Sequence, residues 1–487
     1  MRTLAPGPGA GQNRGMTQGI SATRLFDRTW RNLRDRWRDI AVSARIVGPG
    51  AAVQPDLPDE DLARLRTQVQ DCLAARGGEV SARARAAELG RAYLSLNAEG
   101  KRRFLTLLAT EFDIDQDAVA AEAERLHKAT DPGARRSAER ALRHALEAPR
   151  VRLLTQFNAL PDGTKFLVDL RADLLALGRK DKALAALADD LRRVLAAWFD
   201  IGFLELKRIT WEAPAALLEK LSVYEAVHAV RSWSDLKNRL DSDRRCFAFF
   251  HPRMQGEPLI FVEVALVNGL ADNIAMLLDE SAPVGDPRAA DTAIFYSISN
   301  AQKGLAGISF GNFLIKRVVD QLSAEFPRVR TFATLSPIPG FRAWLDEQFA
   351  HGAPGMLTAA ERKALGLAVQ GIASKGTLKQ LLSTDWHKDP TLIAAMKAPL
   401  MRLCARYLLE AKRENGAARD PVAHFHLSNG ARIERLCWLG DTSDKGLRQS
   451  AGMMVNYLYR LPDIEENHEA YAGEATVIAS PAVTGLL

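Results

Sequence analysis

From about Asp59 to Asp200 apolar residues recur at helical spacing, three or four positions apart. Leu62, Leu65, Val69, Cys72 and Leu73 form one such stripe, and Leu184, Leu187, Leu191, Val194, Leu195 and Trp198 another. The stripes are punctuated by Gly77-Gly78, Asn97 to Gly100, Pro132-Gly133 and Pro161-Asp162-Gly163. This pattern predicts a helical bundle used for packing or assembly. Ahead of it, about 25 Gly/Pro/Ala-rich residues read as a flexible tail, and Phe26, Trp30, Leu33 and Trp37 then share one face of a short amphipathic helix. After Ile201 the pattern changes to short β-type runs: Cys246 to Phe250, Leu259 to Val267, Ala293 to Ser299, Thr331 to Leu335 and Val422 to Leu427. Helical stretches such as Phe313 to Leu322 and Leu365 to Leu382 lie between them, and Ser428-Asn429-Gly430 reads as a hairpin turn. The predicted class is α+β, in three parts: tail and short helix over 1–57, helical bundle over 58–200, mixed α/β domain over 201–487.

Length and composition narrow this further. At roughly 150 residues per domain, 487 residues suit two to four domains, and 47% hydrophobic with 25% charged residues is globular usage. Disordered, collagen-like and disulfide-scaffold classes are excluded. No apolar run approaches the ~20 residues of a membrane span, and the best, Leu259 to Val267, is interrupted by Glu263. A soluble protein with no integral membrane part is expected. The net charge of +6 comes from 65 cations against 59 anions spread along the chain, without the basic stripe or module of a nucleic-acid binder. The excess suits an anionic small molecule. Cys72, Cys246, Cys404 and Cys437 have no metal-ligand spacing and fit a reducing compartment.

Three stretches could carry chemistry. The first joins the Ala293 to Ser299 run to a Gly-rich segment with Gly304, Gly307 and Gly311, then to a helix starting near Asn312. Small residues ahead of a helix N-terminus can cradle a phosphate, and they can equally be a plain connection. Within it Gly307-Ile308-Ser309-Phe310-Gly311 matches GxSxG, but the turn does not follow its strand directly, so Ser309 reads rather as a loop residue at a pocket. In the second stretch, Ser336 follows a β-run and precedes Pro337 and Pro339. The prolines stiffen the exit, which suits either a preorganised hydroxyl or a rigid connector. The third is Pro421 to Gly430. As a strand it puts His424 and His426 on one face, either as packing histidines or as proton carriers, and no companion ligand supports a metal.

Taken together, six segments closely resemble the malonyl-CoA decarboxylase family: FFHPRMQGEPLIFVEVAL (249–266), AIFYSIS (293–299), KGLAGISFGNFLIKRVV (303–319), FATLSPIPGFRAWL (332–345), PVAHFHLSNGA (421–431) and GMMVNYLY (452–459). The resemblance implies a helical domain used to assemble a homo-oligomer, a tetramer, followed by a catalytic domain with the GNAT acetyltransferase-like fold. It implies loss of CO2 from malonyl-CoA to give acetyl-CoA, with no cofactor and no metal. The family's Ser–His pair maps onto Ser336 and His426, and CoA is expected along Gly304, Leu305, Ala306, Gly307, Ile308, Ser309, Phe310, Gly311 and Asn312, with Tyr457. His424 and Ser309 depart from animal members, which carry Asn and an acidic residue there. Phe295, Tyr296 and Phe341 are candidates to line an apolar pocket around the carboxylate. An acyl-CoA thioesterase or acyltransferase, and a non-catalytic acyl-CoA sensor, are the other readings. The expected compartment is the cytoplasm, with the mitochondrial matrix as alternative.

Overall fold

The punctuation of the first half becomes helix caps. Asn97, Asp131 and Asp181 accept backbone N–H bonds from the first turns of the helices Ala98–Glu111, Pro132–Ala145 and Lys182–Trp198. Each satisfies donors that a helix start leaves without partners. The computed structural model describes residues 33–40, 53–74, 79–178, 181–308 and 314–487. Leu184, Leu187, Leu191 and Leu195 of the second stripe are all buried. Residues 33–40 are helical, and the buried Trp37 gives its indole N–H to the Pro161 carbonyl at 2.8 Å while packing on Phe157 and Phe166. Phe26 and Trp30 lie outside the described residues.

The change of pattern after residue 200 marks the start of one mixed sheet. Its strands are β1 (Glu205–Ile209), β2 (Arg244–Phe250), β3 (Pro258–Val267), β4 (Thr292–Asn300), β5 (Thr331–Thr334), β6 (Ser336–Pro337), β7 (Arg432–Cys437) and β8 (Met454–Leu458). The order is β1-β2-β3-β4-β5-β8-β6, with β7 also on β8. Every pair is antiparallel except β4 with β5, which run parallel. The residues of β2 are buried throughout, and so are all but the last of β3, which explains their near-continuous apolar runs. One apolar cluster runs without a break from Leu33 and Leu195 in the helical part to Phe247, Phe295 and Tyr457 in the sheet. Helical part and sheet are thus packed as one body. Among the described residues no helix is long and apolar enough to cross a membrane.

Three expectations are corrected. Val422 to Leu427 is not a strand but part of the helix Pro421–Ser428, because Asp420 caps it through the N–H groups of Val422 and Ala423 and Pro421 occupies its first turn. Ser428-Asn429-Gly430 is accordingly no hairpin: it is the end of that helix, and Gly430, at φ +78°, turns the chain into β7. Leu365 to Leu382 is not one helix. Ala359–Ala368 ends ahead of Gln370, which sits at φ +51°, and Lys375–Leu381 starts afresh under a capping box from Ser374 and Thr377.

Candidate active site

The site arises where two parallel strands part. β4 and β5 pair only from Thr292 with Thr331 to Phe295 with Thr334, and the Leu335 N–H still reaches the Phe295 carbonyl at 3.0 Å. Pro337 and Pro339 have no N–H to continue a ladder. The chain moves away as β6 and pairs with β8 instead, Ser336 opposite Val455. β4 runs on to Asn300 beside β3, and a wedge opens at the carboxyl ends of the parallel pair, the usual place for a ligand in such sheets. The wedge holds a cavity of about 210 Å³ lined by Val227, Phe295, Tyr296, Ile298, Asn300, Ser336, Pro337, Pro421, Val422, Phe425 and His426. This is below the ~300–1,000 Å³ of a full ligand pocket, so it suits the acyl end of a long molecule.

Helical geometry selects which side chains the Pro421–Ser428 helix offers. Val422, Phe425 and His426, at i, i+3 and i+4, face the cavity together. His424, two residues before His426, points elsewhere: its Nδ1 lies 2.8 Å from the Tyr471 hydroxyl. The two histidines therefore do not share a face, and among the described residues no group of three or more His, Cys, Asp or Glu could hold a metal ion.

Ser336 and His426, ninety positions apart, meet in the cavity wall. Ser336 Oγ lies 3.1 Å from His426 Nε2 and 2.8 Å from Thr334 Oγ1. On the far side of the ring, Nδ1 lies 2.7 Å from the Tyr459 hydroxyl. Tyr459 is buried, and among the described residues Nδ1 is its hydrogen-bond partner, so its O–H donates to Nδ1. The tautomer follows: Nε2 carries the ring proton and donates to Ser336 Oγ, and the serine hydroxyl donates to Thr334 Oγ1. The Tyr457 ring stacks on His426 at 4.5 Å and 24° and fixes its plane, without lining the cavity. Burial pushes the His426 imidazole down to about 3, because no opposite charge offsets its lost hydration.

Asp420 ties the two halves of the pair together. Besides capping the histidine helix it accepts the Gly340 N–H at 3.2 Å and the Tyr407 hydroxyl at 3.3 Å. The loop that leaves Ser336 is thereby fastened to the start of the helix that carries His426. Burial raises the Asp420 carboxyl, and the N–H bonds it accepts pull it back.

The Gly-rich segment begins at Gly304, four residues past the end of β4. Gly304 and Leu305 are buried in a single helical turn, Lys303–Leu305, against the helical part; Ala306 and Gly307 are exposed; Ile308 is buried. Gly307 sits at φ +74° with open space around it. None of these five lines the 210 Å³ cavity. Ser309, Phe310, Gly311 and Asn312 lie outside the described residues, and the helix expected from Phe313 is described over Leu314–Glu325. Phe295 and Tyr296 line the cavity, whereas Phe341 packs on Trp344 and Tyr407.

Sequence reasoning missed Thr334, Tyr459, Asp420 and Arg171. Thr334 stands two residues before Ser336 in an extended run, the spacing that puts side chains on one face, and Asp420-Pro421 is a helix-start signal, so both carried a readable sign. Tyr459 and Arg171 carried none: the partner of Tyr459 lies 33 positions away, and the Gly304 and Ala306 carbonyls that Arg171 holds lie 133 and 135 positions away. Arg171 is buried in the helix Gly163–Leu177, and burial lowers its guanidinium from the ordinary value.

Two family models match the chain, the malonyl-CoA decarboxylase N-terminal domain over residues 112–199 and the malonyl-CoA decarboxylase C-terminal domain over 202–487. A goose protein (Anser anser anser) named malonyl-CoA decarboxylase, mitochondrial, is 40% identical over 422 residues, 82% of each chain. The mouse protein of that name (Mus musculus) is 38% identical over 460 residues, 91% of this chain and 89% of its own. Among solved structures, malonyl-CoA decarboxylase from Rhodopseudomonas palustris superposes with a TM-score of 0.80 at 42% identity, covering 87% of this chain and 99% of that one. The Agrobacterium vitis protein gives 0.78 at 42% identity, with the same coverage.

Proposed function

The chain belongs to the malonyl-CoA decarboxylase family, a family of carboxy-lyases, and from that premise we propose that Ser336 and His426 carry the conversion of malonyl-CoA to acetyl-CoA and CO2. The observation that carries this assignment is the 3.1 Å contact of Ser336 Oγ with His426 Nε2 in the wall of a cavity sized for an acyl group.

The bond between the carboxylate carbon and C2 breaks, its electron pair moves toward the thioester carbonyl, and C2 then takes a proton to become the methyl group of acetyl-CoA. The thioester is its own electron sink. The protein must supply a donor to the developing enolate oxygen and a proton to C2. Ser336 turns its hydroxyl from Thr334 to the substrate oxygen, and Nε2–H of His426 backs it. The cavity walls of Val227, Phe295, Ile298 and Phe425 are poor company for a carboxylate and good company for CO2, which favours release.

The orientation of His426 separates this reading from a serine hydrolase. A hydrolase histidine is held by a carboxylate that accepts Nδ1–H, leaving Nε2 bare to take the serine proton. Here Tyr459 donates to Nδ1, so Nε2 arrives protonated and acts as a donor. The proton for C2 comes from Nε2–H, and one proton from solvent replaces it in each turnover by entering at Nδ1 as the Tyr459 hydroxyl turns from donor to acceptor. A malonyl carboxylate or enolate beside the ring supplies the opposite charge that favours this imidazolium and that the free protein lacks there.

A pH prediction follows. In the free enzyme His426 stays neutral down to about pH 4, because its value is depressed to about 3 from 6.5. A depressed histidine adds stability that is complete above roughly pH 6.5 and is lost as pH falls toward 3, since the unfolded chain binds the proton first. Imidazole NMR titration should show no His426 transition near 6.5 without ligand, and an upward move with a non-reactive malonyl thioester. A free-enzyme midpoint near 6.5 contradicts the scheme.

The CoA portion is read along Gly304 to Asn312, whose exposed part precedes the helix described from Leu314. The GNAT-like label belongs to the same reading, supported by the one parallel pair set among antiparallel neighbours. Assembly through the helical part as a homotetramer and a cytoplasmic address complete it; the mitochondrial matrix is the alternative, in line with the word mitochondrial in the vertebrate relatives' names. Incubation of the purified protein with malonyl-CoA alone tests the function. Equal amounts of CO2 and acetyl-CoA are expected, whereas malonate with free CoA indicates a thioesterase and binding without products a sensor.

A further inference from the structure

We propose that Arg171, a residue of the helical part, is a positioning residue for the CoA loop, so that affinity for the nucleotide end of the substrate depends on a side chain outside the catalytic sheet. The inference rests on the reading of the Gly304 segment as the loop that holds the CoA pyrophosphate.

Arg171 is buried, and among the described residues it makes no ion pair. A buried guanidinium without a carboxylate is costly unless its donors are used. Arg171 spends them on backbone: Nη1 reaches the Gly304 carbonyl at 2.5 Å and the Ala306 carbonyl at 2.9 Å, and Nε reaches the Ala188 carbonyl at 3.3 Å. Gly304 is seated so closely that a Cβ there would collide with the Val168 carbonyl oxygen, one helical turn before Arg171. The loop N–H groups of Leu305, Ala306 and Ile308 close onto the carbonyls of Gln302, Lys303 and Leu305. The segment is thus a fixed turn, with two carbonyls drawn inward to one cation and Ala306 and Gly307 left at the surface.

Two effects on an anionic ligand follow. Carbonyl oxygens are the backbone groups that repel a phosphate, and the guanidinium turns two of them away from the exposed side. Its own charge, tied up in no ion pair among the described residues although Asp189 and Arg192 act on it with opposite signs, also lies directly beneath the loop, where low polarisability lets it act at distance. A lysine ammonium could keep the charge and bridge the two loop carbonyls that Nη1 alone now holds, but it has no second nitrogen to hold the Ala188 carbonyl as Nε does.

The test compares malonyl-CoA with malonyl-pantetheine, which presents the same acyl thioester without the pyrophosphate, on the full-length enzyme. Arg171→Gln is expected to raise KM for malonyl-CoA about 10–100-fold, the worth of charged hydrogen bonds, with kcat and the KM for malonyl-pantetheine changed less than about threefold. Arg171→Lys should recover part of the loss. A purely structural role raises KM for both thioesters together or lowers kcat, and overturns the inference. Wild-type enzyme that takes both thioesters with equal KM overturns the pyrophosphate reading itself, and the inference with it. Should Arg171→Gln fail to fold by circular dichroism, the same comparison on Arg171→Lys decides, with a rise confined to malonyl-CoA expected and parity overturning.

Discussion

His426→Asn should lower kcat by about 10²–10⁴-fold, the range for losing a positioned proton donor, and leave acetyl-CoA affinity within about threefold. Asparagine fits within the space; its amide stands where Nδ1 does and can still meet the Tyr459 hydroxyl, but it falls short of the Nε2 position, so Ser336 Oγ keeps its bond to Thr334 Oγ1 and loses the one to the ring. What asparagine cannot do is take up a proton when negative charge develops beside it. The substitution therefore removes the proton carrier and leaves the serine hydroxyl anchored by Thr334. The loss of His426 should flatten the fall of stability between about pH 6.5 and 3, on top of a pH-independent cost for the buried ring's stacking on Tyr457 and its bond to Ser336. Rates of CO2 release, calorimetry with acetyl-CoA and a pH series of thermal melts read the three quantities. A variant that turns over within tenfold of the wild type would remove His426 from the chemistry.

The strands that frame this site were legible because burial on both faces leaves nearly unbroken apolar runs, as in Cys246 to Phe250 and Leu259 to Val267. The histidine helix was misread for the opposite reason. Val422 to Leu427 is short and apolar with two histidines, and such a run looks alike as strand and as buried helix. The deciding signal stood outside the run, in Asp420-Pro421 before it and Gly430 after it. The change of period moved His424 away from the cavity and brought Phe425 into it, while Val422 shares the face of His426 in either form. Ser336 and His426 could be named in advance through the motifs around them, but their tautomer could not. It depends on Tyr459, a residue without a motif of its own, whose hydroxyl reaches Nδ1 only after β8 is paired. The contact of Arg171 with the Gly-rich turn was equally invisible, since it joins segments that sequence alone assigns to separate domains.

Ser336→Ala should lower kcat by about 10²–10³-fold with KM little changed, the cost of one donor to an oxyanion, and the double variant shows whether serine and histidine act as one unit. The alanine removes the hydroxyl that Nε2–H and Thr334 Oγ1 now share, and leaves the cavity's apolar walls in place. If the serine stabilises the enolate and the histidine delivers the proton through the same contact, Ser336→Ala with His426→Asn loses little more than the worse single change. Independent roles would multiply the two losses instead. Serine as nucleophile predicts a different pattern, in which Ser336→Ala alone abolishes turnover and wild-type enzyme quenched during reaction yields a malonylated Ser336 peptide. The donated Tyr459 bond argues against that outcome, because a histidine that already holds its proton on Nε2 cannot take the one from Ser336. Steady-state rates for the four enzymes, with mass spectrometry of the quenched wild type, discriminate between the two patterns.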